Sequence, residues 1–309
     1  MTGNPSRIGA IVLTHNSTSD LSECLTGLIA QSYVDLKLIV VDNASRPEER
    51  ARMEADFLAA LPEGRVLAVA DANPAVVAAL PAVFLRSESN GGYSAGNNIG
   101  ARLAVAAGCE AVLVANPDVR ITDSDYLSGL WAEMQSVPDC VVGASRLVNL
   151  FGQDEHPLRE TGFWEELLWI RQLGPRMLRP APKVLPPTGS SPVEAEKLHG
   201  SCLLIRSQFL QDTDFFDESV FLYSEEPILA ARVRGTGGRM MVFPKFRAVH
   251  AHVASAKGNS SRRMLQFITS RLYYLDNYTN YSPVKRGALR ISYSMLAGLH
   301  MIRAGLRHD

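Results

Sequence analysis

Four short runs of nearly pure hydrophobics, each ending in a polar cluster, constrain this chain more than any other feature. Ile8 to Leu13 ends at Thr14-His15-Asn16, and Leu36 to Val41 ends at Asp42-Asn43. Val83 to Leu85 leads into Asn90-Gly91-Gly92, and Ala111 to Ala115 ends at Asn116-Pro117-Asp118. Runs this short and this apolar read as strands buried on both faces. Helical patterns separate them. Leu21, Leu25, Leu28 and Ile29 follow Ser17, Thr18 and Ser19 as capping candidates; residues 47–60 and the Ala-rich residues 94–107 come later. Strand and helix in alternation predict an α/β fold, a Rossmann-like and mostly parallel sheet with helices on both faces. Ligands of such sheets bind beyond the C-terminal strand ends, where all these polar clusters fall.

Residues 150–197 break the rhythm. Pro175, Pro180, Pro182, Pro186, Pro187 and Pro192, with Phe163, Trp164 and Trp169, describe an irregular insertion rather than a second folded unit. Beyond it, Leu198 to Ile205 is strand-like, Glu225 to Arg234 helical, Met240 to Phe243 a short strand, and residues 261–279 helical. No internal repeat is visible, and the apolar residues 64–82 have no assignable role. The segment 283–309 mixes Lys285, Arg286, Arg290, Arg303 and Arg307 with Leu289, Ile291, Met295, Leu296, Leu299 and Ile302. Two readings stay open there: a basic amphipathic helix lying on an anionic membrane surface, or a packed terminal helix with a solvated basic face.

Composition narrows the functional classes. With 31 basic and 32 acidic residues the net charge is −1, and nothing points to a nucleic-acid partner. Cys24, Cys109, Cys140 and Cys202 lie far apart with no C-x-x-C pair, as expected of buried thiols in the reducing cytoplasm. The opening M-T-G-N-P-S-R lacks a signal-like apolar stretch, and no run reaches the roughly 20 apolar residues that span a bilayer.

Several residues carry candidate chemistry. Asp42, at the end of a buried strand, suits a ribose hydroxyl or a base N–H, or else a turn with Asn43, Ala44 and Ser45. The glycines of Asn90 to Gly100 permit close backbone approach to an anion, although they match neither G-x-G-x-x-G nor the P-loop. Asp118 follows a stiff Asn116-Pro117 exit and suits Mg²⁺ or Mn²⁺ with phosphates as co-ligands. Glu225 and Glu226 open a helix, where the dipole favours acids and where a base for an acceptor hydroxyl also fits. His250 and His252 share one side of an extended segment, as ligands to a metal or donors to a pyrophosphate. Lys257, Arg262 and Arg263 come next and suit a diphosphate leaving group.

In order along the chain, I-V-L-T-H-N-S, L-x-x-C-L-x-x-L-x-x-Q, L-I-V-V-D-N-A-S, N-G-G-Y-S-A-G-N-N-I-G, V-A-N-P-D-V, G-S-C-L-L-I-R, F-D-E-S-V-F-L-Y-S-E-E and V-H-A-H resemble the inverting family 2 glycosyltransferases of the GT-A fold. The likeness spans about residues 7–257 and is greatest to rhamnosyltransferase-type members that build bacterial cell-surface polysaccharides. It implies a GT-A domain over 1–257, with 150–197 as an acceptor-side insertion and 258–309 as a helical C-terminal extension. It also implies residue roles. Thr14, Asn16, Asp42 and Asn43 would hold the nucleoside, and Asn90, Gly91, Gly92, Ala95 and Gly96 would shape the nucleotide-sugar pocket. Asn116 and Asp118 would be the D-x-D-like pair with Asp118 on Mg²⁺ or Mn²⁺, His250 would face the metal or diphosphate, and Gly200 and Ser201 the acceptor. Lys257 would join the donor site.

Glu226 stands where the family usually has the Asp of its Glu-Asp pair, the general base. The extra methylene and the following Pro227 keep Glu225 as a rival, although a first helical turn tolerates Pro. The implied partners are a dTDP- or UDP-sugar donor and a glycan or lipid-linked glycan acceptor, met in the cytoplasm or at the inner face of the plasma membrane. Two other classes compete. A nucleotidyltransferase would need a basic Gly-rich loop where this chain has Thr14-His15-Asn16, and a non-catalytic nucleotide-sugar binder rests only on Glu226-Pro227.

Overall fold

The computed structural model describes residues 6–33, 35–169, 184, 187, 189–252 and 260–305, with side chains over 262–301 in the last stretch. In chain order the first half runs β1 (Ile8–Thr14), α1 (Thr18–Ile29), β2 (Leu36–Asn43), α2 (Pro47–Ala60), β3 (Arg65–Ala68), α3 (Pro74–Ala79), β4 (Ala82–Ser87), α4 (Gly92–Ala106) and β5 (Ala111–Ala115). The second half runs β6 (Val119–Arg120), α5 (Tyr126–Gln135), β7 (Cys140–Asn149), α6 (Phe163–Leu167), β8 (Val193–Glu194), β9 (Cys202–Arg206), α7 (Ser207–Asp212), α8 (Glu225–Gly235), β10 (Arg239–His250), α9 (Ser260–Asn277) and α10 (Pro283–Gly305).

One sheet joins the strands in the order β3-β4-β2-β1-β5-β9-β7-β10-β6, with β8 beside β10. The β3-to-β5 half is parallel throughout. In the other half β9 runs antiparallel to both β5 and β7, while β7 and β10 are parallel. The chain passes from β1 to one side through β2 and returns to the other side at β5, so the β1/β5 border is the switch point where a crevice opens.

Alternation along the strands divides the core into two faces. Val12, Val40, Phe84 and Leu113 pack with Leu21, Leu25, Phe57 and Trp131 beneath α1, α2 and α5. Ile11, Val41, Leu85 and Val114 pack with Ala101, Ala104, Phe209 and Val233 beneath α4, α7 and α8. Phe57 is fully buried against Phe84, and truncating such a ring costs roughly 3–5 kcal/mol. Residues 64–82, unassigned by sequence, supply the parallel edge strand β3 and the short helix α3, whose cap Asn73 accepts from the Val76 amide.

A third cluster stands apart from the sheet. Ile228 of α8, Ile268 and Leu275 of α9, and Leu289 and Tyr293 of α10 bury one another. Buried Glu166 of α6 pairs with Arg271 of α9 and accepts from the Tyr293 hydroxyl of α10 at 2.8 Å. Ser270 of α9 donates to the Leu222 carbonyl at 2.8 Å. The two C-terminal helices are thereby fastened to the loop that precedes Glu225 and Glu226.

Candidate active site

The ends of β1 and β2 form one rim. Thr14 is buried and its hydroxyl donates to the Val41 carbonyl. Asp42 is also fully buried; Oδ1 accepts from the Ser45 amide and Oδ2 from Arg50 Nε at 2.6 Å. Asn43 donates to Asn90 Oδ1 and the Gly92 carbonyl, and its own Oδ1 accepts from the Gly91 amide. These three side chains hold the rim in shape. Its solvent-facing groups are His15, whose Nδ1 meets the Asn43 carbonyl at 2.9 Å, the partly exposed Asn16 and Asn90, and the exposed Gly91. Asn16 and Ala44 adopt left-handed backbone at φ 53° and 56°, a local cost of roughly 1 kcal/mol or more each.

The Gly-rich turn ties this rim to the opposite wall. Gly92 has φ +89°, and a Cβ there would lie 2.1 Å from the Phe221 carbonyl oxygen. Tyr93 donates its amide to that same oxygen at 3.0 Å and its hydroxyl to the Gly200 carbonyl. Gly96 lets α4 settle on β1, because a Cβ would strike Leu13, and half-buried Ala95 lies on the same first turn. Asn98 brackets Phe216 by donating to its carbonyl and accepting from its amide.

The end of β5 carries a cluster of nitrogen and oxygen ligands. β6 pairs with the end of β10, placing Val119 opposite His250 and bringing Asp118 to the histidines. His250 Nε2 lies 3.4 Å from Asp118 Oδ1, and His252 Nδ1 lies 3.2 Å from Oδ2. Ligand atoms of Asp118, His250 and His252 all fall within 4.8 Å of one another. Asp118 Oδ1 is buried without a hydrogen-bond partner among the described residues. An unsatisfied buried carboxylate oxygen facing two imidazoles fits a divalent cation that accepts oxygen and nitrogen. Burial pushes the Asp118 carboxyl up, but His250 and then His252 outweigh it and hold it below its usual value. Burial pushes His250 down, and Asp118 and Glu155 outweigh that. The group that takes a proton there can instead take a metal, which displaces the proton.

Glu155 completes the arrangement. Its Oε2 lies 2.7 Å from His250 Nδ1, and an ionised carboxylate only accepts, so Nδ1 carries the hydrogen. That leaves Nε2 turned toward Asp118 with its lone pair for a metal, a pattern common behind metal-bound imidazoles. His199 leans on His250 at 5.1 Å between ring centroids and accepts from the Ser201 amide.

Across the crevice, α8 begins with Glu225 and Glu226 after Tyr223 and Ser224, both left-handed at φ 72° and 66°. Pro227 sits in the first turn and the helix continues to Gly235. Burial first, and the adjacent Glu226 second, push the Glu225 carboxyl from 4.5 to about 7. Glu225 Oε1 and Ser224 Oγ are buried with no hydrogen-bond partner among the described residues. A Cβ placed on Gly200 would lie 3.2 Å from the Tyr93 hydroxyl and 3.7 Å from Glu226 Oε1, so Gly200 sits in contact range of that carboxylate. A cavity of about 740 Å³ begins at Asn116, Gly200, Ser201, Glu225 and Glu226 and extends toward α9 and α10.

The residues singled out by sequence fall into three groups. Thr14, Asn16, Asp42, Asn43, Asn90, Gly91 and Gly92 lie at the ends of β1 and β2 and the start of α4; Asp118 and His250 come together beyond β5; Asn116, Gly200, Ser201, Glu225 and Glu226 line one cavity. Lys257 lies outside the described residues. Sequence reading passed over Arg50, Glu155 and His199. His199 directly precedes the G-S-C motif and was within reach, whereas Glu155 lies in the irregular stretch where no periodicity marks it.

Residues 10–189 match the model of Glycosyl transferase family 2, and the chain belongs to that family. It is 32% identical over 152 residues to the low-salt glycan biosynthesis hexosyltransferase Agl10 of Haloferax volcanii, an alignment spanning 49% of this chain and 46% of that relative. The chain therefore spans about half the length of that curated relative. The mannosyltransferase PcManGT from Pyrobaculum calidifontis, in complex with GDP-Man and Mn²⁺, superposes with TM-score 0.54 at 15% identity over 97% of this chain and 75% of its own. S. aureus TarS 1-349 in complex with UDP-GlcNAc superposes with TM-score 0.53 at 15% identity, covering 93% and 71% of the two chains. These two likenesses concern the fold. Among the described residues no helix is long and apolar enough to cross a membrane.

Proposed function

We propose that this protein is a metal-dependent, inverting hexosyltransferase that moves a sugar from a nucleoside-diphosphate donor to a glycan or lipid-linked glycan acceptor in cell-surface polysaccharide synthesis. The observation that carries the reading is Asp118 Oδ1, buried and unpartnered beside His250 and His252, two residues beyond Asn116, which lines one cavity with Glu225 and Glu226. A dTDP- or UDP-linked sugar is the donor in this reading, with rhamnose the first candidate. His15, Asn16, Asn90 and Gly91 offer their groups to the nucleoside from a rim that Thr14, Asp42 and Asn43 hold rigid. Lys257 belongs to the donor side in this reading. Two imidazoles beside one carboxylate favour Mn²⁺ over the harder Mg²⁺. When bound, the ion supplies charge stabilisation to the departing diphosphate.

Glu226 is the base. It takes the proton of the acceptor hydroxyl as that oxygen attacks the anomeric carbon from the face opposite the diphosphate. One displacement inverts the configuration and needs no covalent intermediate. Glu225, raised to about 7, keeps a second negative charge away from Glu226 at neutral pH for part of the population. Gly200 and Ser201 border the acceptor. The exposed Ile291, Met295 and Leu299 lie at helical spacing on α10 near Lys285 and Arg286, which supports peripheral contact with the inner leaflet of the plasma membrane. No nucleic acid takes part.

The test is release of nucleoside diphosphate from a panel of dTDP-, UDP- and GDP-sugars with Mn²⁺ and membrane-extract acceptors. Release that needs acceptor and falls by at least about a hundredfold in Glu226→Gln is the expected result. Unchanged turnover in Glu226→Gln moves the base to Glu225, and no release from any donor overturns the reading.

A further inference from the structure

The cavity that starts at the two glutamates changes character along its length. Near the carboxylates it is bordered by Asn116, His199, Ser201 and the Gly200 backbone. Where α9 and α10 border it, Trp169, Met264, Phe267, Leu296 and Leu299 make its surface mostly apolar, although Arg263, Arg271 and His300 also border it. A glycan filling this mostly apolar part would leave many of its hydroxyls against carbon, unpaired at a cost. Leu299 both borders this deep end and is 43% exposed, in line with Ile291 at 66% and Met295 at 64% on the same helix. The apolar end of the cavity therefore continues onto the apolar stripe of α10. It is also held firmly. Glu166, Arg271 and Tyr293 form a buried, mutually bonded set in its wall, and Trp169 Nε1 donates to the Ser292 carbonyl at 3.3 Å.

We infer that this apolar arm binds the hydrocarbon carrier of an amphiphilic acceptor, with the sugar end of the acceptor at Glu225 and Glu226 and the chain leaving over α10. The inference deepens the glycosyl-transfer reading and rests on it for the position of the sugar end. The arm selects for an alkyl or isoprenoid chain attached to the acceptor, and a free glycan leaves it unfilled. Each methylene that enters such a pocket tightens binding about fourfold.

The probes are glucose and octyl, decyl and dodecyl β-glucoside below their micellar concentrations, followed by Trp169 fluorescence in the full chain with Trp169→Phe as the blank. The dissociation constant is expected to fall about fourfold per added methylene until the arm is full. In Leu296→Asn/Leu299→Asn that dependence should flatten to less than about twofold per methylene, the lost apolar contact being the cause. Leu299→Asn alone, at a position already half in solvent, gives an intermediate slope if the double variant does not fold. Ile291→Ser/Met295→Ser, on the outer stripe, should leave the slope unchanged. Affinity independent of chain length, or a slope lost only in the outer-stripe variant, overturns the inference. Calorimetric titration of UDP and dTDP with Mn²⁺ separates the two claims. Nucleotide binding without a chain-length slope removes the carrier site alone, and a slope without nucleotide binding removes the transferase reading alone.

Discussion

At the ends of β1 and β2, Thr14, Asp42 and Asn43 are buried and spend their polar atoms on the protein itself. Across the crevice, Asp118, Ser224 and Glu225 each keep a buried oxygen with no hydrogen-bond partner among the described residues. The two regions differ in what their buried polar atoms meet. An unpaired buried polar atom costs roughly 1–3 kcal/mol; such atoms also occur at Asn97, Trp131, His156, Glu160 and Glu165, and those at Asp118, Ser224 and Glu225 stand beside the other candidate site groups. The first wall is a frame that fixes a shape, and the second holds groups in reserve for chemistry.

The largest expected effect falls on the second wall. Asp118→Ala removes the carboxylate from the proposed metal set and should lower turnover on the order of a thousandfold, measured as nucleoside diphosphate released. Asp42→Ala should act on the frame instead. It leaves Arg50 beside a vacated buried site and should cost about 3 kcal/mol of stability in denaturant unfolding. A stable Asp42→Ala protein with greatly weakened nucleotide binding would break the comparison and make Asp42 a ligand contact.

Glu225→Gln sharpens it through pH. The folded value near 7 lies above the ordinary 4.5, so the folded state holds its proton more tightly than the unfolded chain. The linked penalty is absent below 4.5, grows as pH rises through this window, and levels off above 7 at no more than about 3.5 kcal/mol. Glu225→Gln should therefore melt higher than the parent at about pH 8 and much like it near pH 4. The smallest effect is Glu155→Ala, which frees His250 to turn and should weaken Mn²⁺ binding about 10- to 100-fold, with Glu155→Gln restoring part of it. Equal Mn²⁺ affinity in both variants and the parent would show that Glu155 does not set the imidazole.

The first wall was the more legible in the sequence for the same physical reason. Its strands β1 and β2 are buried almost throughout, so their residues are apolar apart from Lys37, and the polar ends stand out. β7 was not read because Gly143, Ser145 and Arg146 interrupt the apolar run. β10 was read as a short strand to Phe243 and a separate extended segment at His250 and His252; they are one strand, because a register shift between Phe243 and Arg247 absorbs Pro244. The antiparallel course of β9 leaves no local trace, since the side-chain pattern of a strand is the same in either direction. Glu225 and Glu226 were found as a pair, but their inequality depends on burial beneath helices far along the chain. The apolar arm of the cavity was invisible for a like reason: Trp169, Phe267 and Leu296 belong to three segments whose own patterns say nothing of their meeting.

The most direct test of the two-wall account is the melting temperature of the parent and of Asp118→Ala, each with UDP or dTDP, with and without Mn²⁺. A ligand that binds only the folded state raises the melting point. The account predicts a nucleotide-dependent rise in the parent that needs Mn²⁺, and no metal-dependent rise in Asp118→Ala. The same Mn²⁺-dependent rise in both proteins would contradict it, because the metal would then be held without the buried oxygen on which the whole arrangement turns.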